Sequence, residues 1–137
     1  MAHEMAHLVV HQVTMNGYGI VLPNWLDEGL AMYAEGELSS DLASRLSKAV
    51  RLGGLDSVQT LSSSFPADTA GASLAYAESY SLVEYLLENE GGSGNMLELL
   101  GAIKAGSGYE EALQAVHGLS VGQLDSRWKE YLKAGGA

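Results

Sequence analysis

The chain has 137 residues, enough for one modest domain with a real core and too few for two of ordinary size. Hydrophobic residues make up 47% and charged residues 18%, proportions that fit a folded globular domain and not a disordered chain. Asp and Glu number 17 against 7 Lys and Arg, a net charge of -10 with no basic run, so nucleic acid is not an expected partner and the acidic surplus reads as solvated surface.

There is no cysteine, which excludes a disulfide framework and thiolate ligands, so any metal site must be built from histidines and carboxylates. The longest apolar stretches, "HLVVHQV" and "YSLVEYLL", are short and interrupted, so no membrane-spanning segment is expected. No signal peptide is read before the first motif, and the compartment stays open.

In chain order, Met5, Leu8, Val9 and Val13 follow a helical spacing that predicts a helix from about Ala2 to Thr14, stopped by Asn16-Gly17 and Gly19. "LPNWLDEGLAMYAEG" predicts a second helix, begun at Pro23-Asn24 with Asp27 placed to complete a capping arrangement, and ended at Gly36. "SSDLASRLSKAVRLGG" predicts a third, acidic at its front, basic at its back and capped by Gly53-Gly54. Serine-rich sequence from Asp56 to Gly71, with the second proline inside it, reads as a long surface connection. "SLAYAESYSLVEYLLENEGG" then carries a wide apolar face through Leu74, Tyr76, Tyr80, Val83, Leu86 and Leu87. Three shorter helices follow in "NMLELLGAIKAG", "YEEALQAVHG" and "SVGQLDSRWKEYLKAG", the last with Ser120 as N-cap. The expectation is a single all-α domain over residues 1–137, of about seven helices, with Trp25 and Trp128 packed in its interior.

The chemistry begins at "HEMAH". His3 and His7, four apart on a helix, project from one face on successive turns and can share a tetrahedral zinc at about 2.0–2.1 Å. Glu4, beside them, can hydrogen-bond a water in the open position and take its proton. Against this stands a helix that carries two histidines by accident. His11 lies about 6 Å beyond His7 along a straight helix, too far to share the metal, so it reads as a helix residue. A catalytic zinc wants a third protein ligand. Glu28, near the start of the second helix and brought back by a short Gly-containing turn, is the better candidate.

"HEMAH" followed by "EGLA" resembles the gluzincin clan of zinc metallopeptidases. "WLDEGLA" and "AYAESYSLVEYLL" resemble in particular the peptidase MA-like family, a relative of the M1 aminopeptidases. The resemblance extends, more weakly, to the Trp-containing last helix. It implies His3, His7 and Glu28 as zinc ligands, Glu4 as general base and Tyr76 as a hydroxyl that stabilises the developing oxyanion, with Tyr80 and Tyr85 on the same helix as competitors for that role. Glu35 matches a glutamate that supports a ligand histidine in M1-like enzymes, or is a solvated helix-end residue. The implied activity is hydrolysis of peptide bonds in a peptide or protein substrate. The alternative is a zinc-binding helical interaction or structural module without turnover. The resembled enzymes place a small sheet before the active helix. Because the third residue here is already a ligand, the chain reads as a fragment of a longer protein whose N-terminal sheet subdomain lies upstream.

Overall fold

The computed structural model describes residues 22–63, 65 and 69–135. The predicted helix over Ala2 to Thr14, with His3, Glu4, His7 and His11, lies outside them. Among the described residues there are seven α-helices and no strand, so the all-α expectation is met. They are α1 (Asn24–Glu35), α2 (Ser40–Leu52), α3 (Val58–Leu61), α4 (Thr69–Asn89), α5 (Gly92–Lys104), α6 (Tyr109–His117) and α7 (Val121–Lys133). No helix among the described residues is long and apolar enough to cross a membrane.

Local chemistry sets most boundaries. Ser39 caps α2 through a 3.3 Å bond from the Leu42 amide, and Gly53 closes it in the left-handed region at φ 70°. Ser120 and Gln123 form a reciprocal capping box at the start of α7. At α1 the N-cap position falls to Pro23, which has no side-chain hydrogen bond to give, and Asp27 adds its negative charge in the first turn.

Three boundaries differ from expectation. α5 starts at Gly92, in the glycine pair expected to end the long helix and three residues ahead of the expected Asn95. Within the stretch read as a surface connection, Ser57 caps the one-turn helix α3, whose Val58 and Leu61 are buried; it is therefore part of the core. The long helix also starts at Thr69, ahead of the first residue of its apolar pattern, because small residues extend it without adding periodicity.

α4 is the central element, packed against α1, α2, α5 and α7. Its Ala77, Leu82, Val83 and Leu86 join one apolar cluster with Trp25 and Leu26 of α1, Leu99 and Ile103 of α5, Leu113 of α6 and Trp128 of α7. Both tryptophans are fully buried, as expected; burial of one large apolar side chain stabilises the fold by about 1.5–3 kcal/mol. The Trp128 indole N–H donates to Ser81 Oγ at 2.9 Å, and that hydroxyl donates to the Glu78 carbonyl at 2.9 Å. The polar edge of the last helix is thereby satisfied inside the core.

Candidate active site

The site is set by the contact of α1 with α4. Gly29 is buried at this contact: a Cβ there would lie 2.5 Å from the Ser79 carbonyl oxygen and 2.6 Å from Val83 Cγ2. No side chain fits, so the helices meet backbone to side chain at this point. Glu28 precedes Gly29 and Tyr76 lies three residues before Ser79, so the close approach brings the first turn of α1 towards the first half of α4. The second-helix position read for Glu28 is the one observed: it is half-buried, five residues into α1.

Tyr76 is half-buried, with its ring edge-on to Phe65 at a centroid separation of 5.2 Å and an interplanar angle of 83°. Its phenol is pushed above the usual range, first by burial and then by the negative charge of Glu28. The two groups are therefore electrostatic neighbours across the helix contact. At neutral pH the phenol keeps its proton and is a hydrogen-bond donor.

The competing tyrosines are engaged elsewhere. Tyr80 is buried and its ring lies 5.7 Å from that of Tyr33; burial and Glu84 raise its phenol, and Glu28 is not among the causes. Tyr85 donates its hydroxyl to Glu90, which also receives Arg127 at 3.3 Å, and burial followed by the Glu90 hydrogen bond pushes the phenol up to about 12. Glu35 is exposed at the last position of α1.

Among the described residues, no group of three His, Cys, Asp or Glu side chains forms a metal site, and the only histidine, His117, ends α6. Of the expected ligands, Glu28 alone falls within the described region. A carboxylate at one end of a helix contact, near a protonated phenol, is chemically compatible with the His and carboxylate donors that zinc accepts.

One buried acid was not singled out by sequence reasoning. Glu78, on α4, is completely buried; its Oε2 accepts the Asp56 amide at 2.7 Å and its Oε1 has no hydrogen-bond partner among the described residues. Burial, reinforced by the neighbouring Asp56 carboxyl and opposed by Lys129, pushes its pKa up to about 9. The signal for it was available: Glu78 shares an i, i+4 stripe with Leu74, Leu82 and Leu86, which places it on the apolar face. It ties the α2–α3 connection to α4 and is structural.

Comparison with protein families matches residues 1–134 to the Peptidase MA superfamily. The match covers nearly the whole chain, and the chain belongs to that superfamily. No curated protein and no solved structure matches it significantly.

Proposed function

We propose that the chain is a zinc-dependent metallopeptidase domain, with His3, His7 and Glu28 as the metal ligands, Glu4 as general base and Tyr76 as oxyanion donor. The observation that carries the reading is the pairing of Glu28 with a protonated, half-buried Tyr76 across the α1–α4 contact in a member of the Peptidase MA superfamily. Two imidazoles and one carboxylate, with a further position left open, are the ligand chemistry of hydrolytic zinc sites. When bound, zinc lowers the pKa of its water and polarises the substrate carbonyl.

Glu4 takes the proton from the attacking water and returns it to the departing amine, so one carboxylate serves both halves of the hydrolysis. Tyr76 donates its O–H to the substrate carbonyl oxygen as that oxygen gains charge. Burial of the ring favours the protonated phenol, which preserves this donor. Phe65 holds the ring, limiting the reorientation needed at the moment of reaction.

The test is Glu4→Gln. Glutamine fills the same space and cannot accept the proton, so the variant is expected to retain zinc and lose peptide hydrolysis. Undiminished turnover in Glu4→Gln would exclude Glu4 as the base. Zinc binding by the unsubstituted protein without turnover on a broad peptide library would favour the non-hydrolytic zinc module.

A further inference from the structure

Beyond Tyr76, the same stripe of α4 continues through Tyr80 and Glu84, one and two turns on, and enters a second concave region. There the α1–α2 connection, α2, α4 and α7 line a half-open cavity of about 660 Å³, within the span of small-ligand pockets. Its walls are apolar where they are deepest: Leu46 and Leu132 are buried, and Leu38 and Val50 are half-buried. Glu84, also half-buried, lines it and makes no hydrogen bond or ion pair with any described residue. Glu37 stands at the cavity with its carboxylate likewise unpaired among the described residues, and Arg51 is the only cation on the lining.

A carboxylate taken partly out of water without a partner is costly. Burial, followed by the like charge of Glu88, accordingly raises the Glu84 pKa. A bound cation would relieve both effects, whereas an anion would meet two carboxylates. The apolar walls call for a hydrocarbon stem behind the charge. Arg51 is exposed and forms no ion pair with either glutamate among the described residues, so it does not fill that role.

We propose that this cavity binds an organic monocation with a short aliphatic stem, an alkylguanidinium or alkylammonium group, its charge on Glu84 and Glu37 and its stem against Leu46, Val50 and Leu132. The proposal is independent of the metallopeptidase reading, since neither zinc nor turnover enters it. Two sources present this chemistry, a free amine-type ligand and a lysine or arginine side chain of a peptide.

The experiment is titration of the full chain, followed by calorimetry and by amide chemical shifts, with n-butylguanidinium and with Nα-acetyl-arginine N-methylamide. Saturable binding of n-butylguanidinium is expected, with shifts confined to the Glu37–Leu38 connection, α2, α4 and α7. Binding of both probes marks a site for peptide side chains; binding of the first alone marks a site for free cations. Glu84→Gln should weaken the interaction about tenfold, the loss of one charge-assisted contact, with an unchanged melting temperature. Arg51→Gln should strengthen it by removing the competing cation, a gain that misfolding cannot mimic. The proposal is overturned if 1-pentanol or hexanoate binds as well as the cation, if Glu84→Gln binds undiminished, if the shifts lie elsewhere, or if neither cation binds.

Discussion

At Tyr76, a phenol that stays protonated is useful only if its hydrogen bond strengthens as the carbonyl becomes an oxyanion, so its removal should act on the transition state and hardly on binding. Tyr76→Phe retains the ring against Phe65 and deletes the hydroxyl. In an active preparation we expect kcat to fall about a hundredfold, with zinc content and melting temperature unchanged. Tyr80→Phe, whose ring packs on Tyr33, is the control and should remain active; the reverse pattern would assign the donor to Tyr80. Glu78 makes a different prediction, about stability. Its carboxyl titrates near 4.5 in an unfolded chain and near 9 in the fold, so between those values the folded state holds a proton that the unfolded state has released. Stability from this group is complete below about 4.5, declines as pH rises, and is gone above about 9. Glu78→Gln should abolish that decline, measured as melting temperature at pH 5 and pH 9; equal declines in both proteins would show that Glu78 is ionised in the fold. Sequence separated Tyr76 from its neighbours only by family resemblance, since three tyrosines on one helix have the same periodicity. What distinguishes them is the identity of the partner: Glu28 for Tyr76 and Tyr33 for Tyr80 lie across the α1–α4 contact, which is tertiary information, whereas Tyr85 bonds Glu90 just beyond the end of its own helix.

Between elements, the critical feature is the α1–α4 contact at Gly29. An added methyl would run into the Ser79 carbonyl, a backbone atom that cannot swing away, and into Val83. Gly29→Ala should therefore cost about 1–3 kcal/mol as the helices move apart. The same displacement carries Glu28 away from Tyr76, so the Tyr76 phenol should titrate at lower pH than in the unsubstituted protein. Thermal unfolding and a tyrosine-resolved NMR titration would check the two effects; an alanine accommodated with neither change would mean that Gly29 does not set the spacing. The helix order, the ends of α1, α2, α6 and α7 and the end of α5 were legible because glycine and serine mark most of them, while α5 begins at Gly92 inside the glycine pair that reads as a stop. α3 was not, since four residues in a serine-rich stretch are too short for a periodic pattern and only the burial of Val58 and Leu61 reveals it. The first four residues of α4 were missed for a related reason: Thr69, Ala70, Gly71 and Ala72 offer no large apolar side chain to count.

For the whole molecule, α4 is both the middle of the core and the wall of the candidate site. The hydrogen-bonded chain from Trp128 through Ser81 to Glu78 and the bond from Asp56 to Glu78 fix that helix from the side away from Glu28. The proposed metal site requires the paired histidines to be brought to this framework, and sequence spacing alone expresses only the relation of His3 to His7. The three expected ligands come from two separate segments, and their convergence is the central claim. It is tested most directly by the zinc content of the protein, measured by elemental analysis after addition of zinc and exhaustive dialysis, alongside Glu28→Gln. The account predicts one equivalent in the unsubstituted protein and a large loss in Glu28→Gln, since two imidazoles alone are an incomplete site. Less than about a tenth of an equivalent in the unsubstituted protein, or an undiminished equivalent in Glu28→Gln, would contradict it.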